Sequence, residues 1–411
     1  MSLRLTTVAL DGANLELIDH LPKNPLAYIR GGQGLIGWGE TLRIEAHGPD
    51  RIERLATHWR AVAATALVED AVKLPGTGLV AFGSIAFADD SETKSALIVP
   101  KIILGLRDGR AWLTTITNSE SSQTAAGPEE FWKTPTTYSA NSAVHFNQGA
   151  QSASGFKQSV IDAVSAIISG SLEKVVLARD LVGTLPEGFD LRTSLKRLSE
   201  RFPTCWIYSV DGLFGASPEL LVRVAHGQVS ARVLAGTAGR GTDPEVDKAI
   251  SAALAASSKN TNEHAFAVDS LVQTLKPFCE HVDADPKPFS LALPNLWHLA
   301  SDVHGVLKRE ASVLDLAAAL HPTAAVAGTP RREAQRLLGA LEPFDRGRYA
   351  GPVGWIGADG DGEWVIALRG AQITGQQVRA FAGCGIVAES EAEAELAETE
   401  LKFSPIREAL S

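Results

Sequence analysis

The stretch YAGPVGWIGADGDGEWVIALRGAQI, Tyr349–Ile373, contributes most to the choice of fold class. Two apolar runs flank the turn residues ADGDG, and this pattern predicts two strands joined by a tight connection. Earlier in the chain, three further runs predict strands: KVVLAR (Lys174–Arg179), CWIYSV (Cys205–Val210) and ELLVRV (Glu219–Val224). The strands are therefore grouped along the chain and do not alternate one by one with helices.

Helical patterns follow this group of strands at Pro244–Ala256 and Asn262–Phe278. Grouped strands and grouped helices are typical of an α+β fold, whereas a doubly wound sheet alternates the two. Near the start of the chain, Asp50–Val68 carries apolar residues at helical spacing. The glycines of RGGQGLIGWGE (Arg30–Glu40) suggest a phosphate loop, but no Gly-Lys-Ser/Thr follows them, so we predict a hairpin there.

Composition excludes several classes of protein. The chain has 411 residues, 45% of them hydrophobic, and a formal net charge of −10. That charge argues against nucleic acid or an anionic membrane as a partner. Three scattered cysteines argue against a disulfide framework or a zinc site. The chain has no signal peptide or membrane-spanning run, so we expect a cytoplasmic protein. Without a heptad pattern, we expect a monomer or weak dimer.

Lys174 and Glu219 are the candidate proton-transfer residues. Lys174 opens the predicted strand KVVLAR, and alternation places it on one face with Val176 and Ala178. A lysine on an apolar face can act as a general base if its pKa falls. Glu219, in ASPELL, begins another strand and can act as a general acid. The alternative for each residue is a solvated charge at a strand end.

The final helix carries the candidate metal ligands. Ser390 followed by Glu393 predicts a capping box, with the helix beginning near residue 391. Glu395 and Glu398 lie three residues apart and therefore share one face of that helix. Paired carboxylates suit Mg²⁺, which takes oxygen ligands and retains several waters. A solvated acidic helix is the alternative, and Glu263 is either a third ligand or a favourable charge near a helix start.

Several other segments are candidates for substrate binding. The runs LAGTAGRG (Leu234–Gly241) and AGCGIV (Ala382–Val387) are small-residue turns whose backbone N–H groups can approach a ligand. Arg369 and Lys402 are candidate anchors for a carboxylate, because both side chains carry a positive charge. His298 has no second histidine at metal-ligand spacing, so a zinc hydrolase site has no support.

The order of these motifs carries more information than any of them alone. Together they resemble the chorismate-binding enzyme family over roughly Phe156–Arg407. The motifs, in order, are KVVLAR, SPELLVR, LAGTAGRG, KNTNEH, HLASDVHG, LHPTAAVAG, DRGRYAGPVGW, ALRGAQI, AGCGIV and ELAETELK. The resemblance implies one large α+β domain with two β-sheets flanked by helices and the active site between them. Residues 1–150 would be the variable N-terminal part of this fold, and residues 151–411 the catalytic region.

The resemblance also implies roles for individual residues. The catalytic pair would be Lys174 and Glu219, and the Mg²⁺ ligands would be Glu263, Glu395 and Glu398. The implied substrate-binding residues are Gly236, Thr237, His298, Ala325, Tyr349, Arg369, Gly383, Gly385 and Lys402. The implied substrate is chorismate, a small molecule, and neither nucleic acid nor a membrane is an expected partner.

Four positions bear on the reaction within this family. Lys174 resembles members that activate water, and Ala235 replaces a lysine used as a nucleophile by aminodeoxychorismate-type enzymes. With alanine at position 325 the chain resembles isochorismate synthases, whereas tyrosine at position 349 is compatible with both the isomerases and the lyases of the family. These residues imply an isomerase that makes isochorismate, the first step towards menaquinone or a siderophore. The alternatives are a salicylate synthase, which also releases pyruvate, and an anthranilate-synthase-type component.

Overall fold

The computed structural model describes residues 2–11, 15–118, 136–138, 141–241, 243–292 and 296–411. The chain divides into two compact units. The first comprises Met1–Glu219, His321–Ala358 and Val365–Ser411, and the second comprises Leu220–Leu320 and Asp359–Trp364. The Ser-, Gly- and Pro-bearing polar segment Asn118–Glu130, whose composition predicts a loop, lies outside the described residues apart from its first residue.

The helices of the described residues are few and separate the groups of strands. They are α1 (Arg51–Thr65), α2 (Ala153–Ile168), α3 (Leu191–Arg201), α4 (Pro244–Ala256), α5 (Ser258–Leu275), α6 (Val313–Leu320), α7 (Arg331–Leu341) and α8 (Ala392–Ala409). None of them combines the length and the apolar character that a bilayer-spanning helix needs.

The strands outnumber the helices. In chain order they are β1 (Leu3–Leu10), β2 (Leu26–Arg30), β3 (Gln33–Trp38), β4 (Leu42–Ala46), β5 (Leu67–Asp70), β6 (Val80–Ser84), β7 (Ser95–Val99), β8 (Ile102–Arg107), β9 (Arg110–Asn118), β10 (Phe146–Gln148), β11 (Lys174–Thr184), β12 (Trp206–Val210), β13 (Leu213–Ser217), β14 (Leu220–Ala225), β15 (Gln228–Gly239), β16 (Cys279–Ala284), β17 (Phe289–Ala292), β18 (Leu296–Leu307), β19 (Gly328–Thr329), β20 (Pro352–Gly357), β21 (Gly362–Ile366), β22 (Gly370–Thr374) and β23 (Gln377–Ile386).

A thirteen-stranded sheet lies wholly within the first unit. Its order is β10-β11-β23-β22-β13-β12-β2-β3-β8-β9-β1-β5, and β19 also pairs with β11. Strands of a second sheet within the same unit follow the order β20-β6-β7-β4, and those within the second unit follow β16-β18-β15-β14. Two sheets with flanking helices confirm the predicted α+β class.

Most of the predicted elements occur where the sequence patterns put them. The hairpin predicted around Arg30–Glu40 is the β2–β3 pair, whose two-residue turn Gly31–Gly32 has positive φ at both positions. The helix predicted over Asp50–Val68 is α1. The helix predicted from Asn262 is longer at its start, because Ser257 caps it by accepting a hydrogen bond from the Asn260 N–H.

Side-chain caps explain where the other helices begin. The Ser152 hydroxyl accepts from the Gly155 N–H at the start of α2, and the Asp190 carboxylate accepts from the Arg192 N–H at the start of α3. Asp243 does the same for α4, where Pro244 occupies the first turn. Each such cap satisfies a backbone donor that the helix cannot, an effect of about 1 kcal/mol.

The main core of the first unit lies between the thirteen-stranded sheet and the helices that cover it. Helices α3 and α8 contribute buried apolar side chains, among them Leu195, Leu198, Phe403 and Ile406. Burying a side chain of this size stabilises a fold by roughly 1.5–3 kcal/mol. The core therefore fixes α8, the helix with the candidate metal ligands, against the sheet that carries Lys174.

Candidate active site

The ladder between β11 and β23 positions Lys174. In its register, Val176 pairs with Gly385 and Ala178 pairs with Gly383. A Cβ atom built on Gly385 would lie 2.7 Å from Lys174 Cε and 3.4 Å from its Nζ. The end of the Lys174 side chain therefore lies directly over Gly385. Only a residue without a side chain leaves this space to the lysine.

Glu219 lies between β13 and β14, where a serine fixes its backbone. The Ser217 hydroxyl accepts a hydrogen bond from the Glu219 N–H at 3.2 Å and donates one to the Ile366 carbonyl at 2.6 Å. Ile366 N–H in turn donates to the Glu219 carbonyl. Sequence reasoning missed Ser217, although a serine two residues before a functional group is the spacing of a local side-chain turn.

The electrostatics of Glu219 bring four of the predicted residues together. Burial raises the pKa of the Glu219 carboxyl, while the positive charges of Lys174, Arg369 and Lys402 oppose that rise. Because desolvation is the largest influence, the pKa of Glu219 lies above its ordinary value despite the three cations. The predicted acid therefore shares one site with the predicted base and both predicted carboxylate anchors.

Lys402 connects α8 to β23. Its ammonium donates to the Gly383 carbonyl at 2.8 Å and lies 2.5 Å from a Glu398 carboxylate oxygen. A Cβ atom on Gly383 would lie 3.2 Å from the Tyr349 hydroxyl. The structure thus places Gly383 beside Lys402 and Tyr349, as expected for residues that share a pocket.

Tyr349 is held rigidly on the same side of the site. Its ring stacks on Phe381 with centroids 5.0 Å apart and an interplanar angle of 11°. Burial raises the pKa of the Tyr349 hydroxyl to about 12, so this group stays a neutral hydrogen-bond donor. Phe381, on β23, was not predicted from the sequence. Ala325 lies exposed in the turn that leads to β19, the short strand that pairs with Lys174 and Val175.

The backbone at Arg369 is unusual. Its φ of 50° lies in the left-handed region, and its carbonyl accepts a hydrogen bond from the Ala216 N–H. A non-glycine residue with positive φ is uncommon and is found more often at functional sites. The turn sends the chain from β21 into β22, beside the strand that precedes Glu219.

The second unit contains the other predicted substrate-binding residues. Gly236 has a φ of 77° at a bulge in the β15–β18 pairing, and Thr237 lies opposite His298 in that register. Asn260, on the first turn of α5, approaches Gly236 closely. Glu263 is one turn further along α5. The side chains of Thr237 and Glu263 lie outside the part of the structure that is described.

The capping box predicted at the start of α8 is wrong. The Ser390 hydroxyl donates to Glu395 Oε1 at 2.7 Å and accepts from the Val387 N–H, and the residue at the cap position, Glu391, makes no side-chain cap. The helix still begins close to the predicted residue, at Ala392. The Ser390 hydroxyl therefore hydrogen-bonds to the candidate metal ligand Glu395, and the N-terminus of α8 has no side-chain cap.

The carboxylates of α8 fit a magnesium ion. The second oxygen of Glu395, Oε2, is buried and has no hydrogen-bond partner. A buried carboxylate oxygen without a donor carries a large cost unless a cation satisfies it. No group of three or more acidic, histidine or cysteine side chains is assembled as a metal site within the described residues. The two α8 carboxylates suit an ion that keeps several waters.

Comparison with known proteins agrees with this geometry. A family model described as "Chorismate binding enzyme" matches residues 17–411. The chain belongs to the chorismate-binding enzyme family. The resemblance inferred from the motif order is therefore confirmed.

Two relatives and one solved structure that are similar to this chain are named as isochorismate synthases. Isochorismate synthase DhbC of Bacillus subtilis is 38% identical over 62% of this chain and 67% of its own length. A salicylate biosynthesis isochorismate synthase of Pseudomonas aeruginosa is 31% identical over 91% of this chain and 82% of its own. The solved structure of MenF, the menaquinone-specific isochorismate synthase of Escherichia coli, aligns with a TM-score of 0.77 and 26% identity, covering 100% of this chain and 95% of that one.

Gly385→Ala should reduce turnover and leave the fold intact. The new methyl group would meet only the flexible end of Lys174, so the lysine moves and the sheet does not. A displacement of about 1 Å can cost about 100-fold in rate. We expect kcat to fall at least about tenfold with an unchanged melting temperature. Gly339→Ala is the control, because nothing lies within 4 Å of a Cβ there. Equal kcat values for the two variants would contradict the placement of Lys174.

Proposed function

We propose that this chain converts chorismate to isochorismate. Water adds at ring carbon 2, the hydroxyl at carbon 4 leaves, and the ring double bonds shift between them. The observation that carries this proposal is a half-buried carboxyl, Glu219, whose raised pKa is opposed by the charges of a lysine and two further cations. The names of the relatives support the same reaction, since those at 31–38% identity are isochorismate synthases.

Lys174 is the proposed base. It takes a proton from the water that attacks carbon 2, and the space over Gly385 keeps its amine in place. Glu219 is the proposed acid. In this role the protonated carboxyl gives its proton to the departing hydroxyl, which leaves as water, and burial favours the role because it raises the pKa of Glu219. One water is consumed and one released, so the net reaction is an isomerisation.

The substrate carboxylates require positive charge, which the overall charge of −10 does not provide. Arg369 and Lys402 are the proposed local source of that charge, and their electrostatic effect on Glu219 supports this role. The backbone at Gly383 and Gly385 adds close-approach positions on the same strand. In the second unit, we assign Gly236, Thr237 and His298 to substrate binding on the family resemblance.

Magnesium is the proposed cofactor. Glu263, Glu395 and Glu398 would hold it, and the partnerless oxygen of Glu395 supports a cation at that position. When bound, the ion neutralises a substrate carboxylate and helps to orient the ring. The chain's own contribution is to hold Glu395 through Ser390 and to balance Glu398 with Lys402. The free Cys205, Cys279 and Cys384 support a reducing, cytoplasmic location, where we propose a monomer or weak dimer.

The product of the reaction tests the proposal. Purified protein with chorismate and Mg²⁺ should yield isochorismate, separated by chromatography, with little pyruvate in the same sample. A chelator should stop the reaction. Stoichiometric pyruvate with salicylate would instead identify a lyase and would mean that Ala325 does not distinguish the isomerase from the lyase. Turnover only with added ammonia would identify an aminating enzyme.

Lys174→Ala and Glu219→Gln should each reduce kcat by about 10²–10⁴-fold while chorismate binding persists. In the unmodified protein, kcat/KM should fall as the pH rises through the raised pKa of Glu219, because the acid must be protonated. The residual activity of Glu219→Gln should lose that alkaline limb. Near-normal turnover in either variant, or an alkaline limb that survives in Glu219→Gln, would refute the assigned roles.

Glu398→Ala should weaken magnesium binding measured by titration calorimetry without substrate. Removing one carboxylate ligand should raise the dissociation constant at least about tenfold. Glu393→Ala is the matched control, since Glu393 lies on the first turn of the same helix and pairs with Lys157 on the surface. Identical magnesium affinities in the two variants would exclude Glu398 as a ligand.

A further inference from the structure

One edge of β11 has a gap in its strand partners. At the start of β11, Lys174 and Val175 pair with β19, and further along Leu181, Val182 and Gly183 pair with β10. The other edge of β11 is continuous, since it pairs with β23 from Val175 to Thr184. Between β19 and β10, no strand of the described residues pairs with this edge. The Val176 N–H still donates to the Ala327 carbonyl, and the Asp180 carbonyl accepts from the Gly149 N–H, so the gap lies between these two backbone bonds.

The side chains of Glu342 and Arg346 fill this gap. Glu342 Oε1 accepts a hydrogen bond from the Ala178 N–H at 2.8 Å, and Arg346 Nη2 donates to the Val176 carbonyl at 2.6 Å. The two side chains also form a bidentate pair, with N···O distances of 2.6 and 2.8 Å. Only 5% of the Glu342 side chain and 3% of the Arg346 side chain are exposed. The ion pair therefore makes the backbone hydrogen bonds to β11 that a neighbouring strand would otherwise make.

Arg346 also holds two other parts of the site. Its Nη1 donates to the Val326 carbonyl at 2.8 Å, which fixes the turn that contains Ala325. Its own carbonyl accepts a hydrogen bond from the Tyr349 N–H at 3.0 Å. The guanidinium lies over the Phe87 ring, 4.4 Å from its centroid, so the group is fixed by packing as well. The Arg346 side chain thus bonds to the strand of Lys174 and to the turn of Ala325, and its main chain bonds to the turn of Tyr349.

We propose that Arg346 and Glu342 are positioning residues that set the distance between Lys174 and the two turns that carry Ala325 and Tyr349, which are both proposed to line the ring pocket. This inference rests on the proposed isomerisation. The two charges neutralise each other, so the pair does not gather the anionic substrate. The flat fork of the guanidinium is required, because it donates in three directions at once. A lysine at the same place keeps the charge but cannot reach both carbonyls and the carboxylate.

Arg346→Lys tests the proposal through kinetics rather than stability alone. We expect kcat to fall about 10–100-fold, because the base and the pocket lose their alignment, while KM for chorismate changes less than about threefold. Arg192→Lys is the matched control: Arg192 also forms a bidentate pair, with Asp190, but contacts none of the three segments that Arg346 holds. A kcat loss of equal size in both variants, or none in Arg346→Lys, would overturn the proposal.

A double variant separates positioning from folding. Arg346→Met alone leaves the carboxylate of Glu342 buried without its partner, which is strongly destabilising, whereas Glu342→Gln with Arg346→Met removes both charges together. We expect the double variant to regain much of the melting temperature that Arg346→Met loses, while kcat stays low. Recovery of both quantities together would mean that the pair only stabilises the fold, and the proposal would fail.

The proposed function has a separate readout in the same experiment. The product formed by the unmodified protein identifies the reaction, and the ratio of variant to unmodified kcat tests the positioning. A product other than isochorismate would overturn the proposed function, and with it the pairing of Lys174 with this pocket as the base of an isomerase. Isochorismate from the unmodified protein with unchanged kcat in Arg346→Lys would overturn the positioning alone.

Discussion

The antiparallel ladder between β11 and β23 is the constraint on which the site depends. It aligns Val175 with Ile386 at one end and Thr184 with Gln377 at the other. A slip of one residue would turn Lys174 to the opposite face and remove it from Gly385. The ladder also presents the Gly383 carbonyl to Lys402. Two cations of the site are therefore located by the same pair of strands.

The second constraint is the balance of charge around Glu219. Three cations favour the carboxylate, and burial favours the neutral acid and prevails. A site exposed to water would lose this balance, because solvent would stabilise the charged form at little cost. The Ser217 hydroxyl accepts a hydrogen bond from the Glu219 N–H and so holds Glu219 at the position where burial raises its pKa. The acid thus depends on local chain geometry as much as on its own chemistry.

Regular elements and the family could be predicted from the sequence. Strand β11 follows from its apolar run, and the order of short motifs identifies the family and supplies the residues that are proposed for the site. The contacts that orient these groups could not be predicted. Glu342 reaches Ala178 across 164 residues, and Arg346 reaches Val176 across 170. Ser390 has the spacing of a helix cap, yet its hydroxyl bonds to Glu395 because the fold brings that carboxylate within reach.

The gap on the edge of β11 has a consequence for how such an enzyme diverges. Hydrogen bonds between backbones are nearly indifferent to side-chain identity, so a continuous strand would resist change by point mutation. The hydrogen bonds made by Arg346 and Glu342 depend on two side chains, so a point mutation in either codon changes them. Geometry at the reacting centre is therefore open to selection without any change in the residues that touch substrate. Substitution of the two positioning side chains, Arg346 and Glu342, is therefore one route by which the geometry of such a site can change while the residues that contact substrate stay the same.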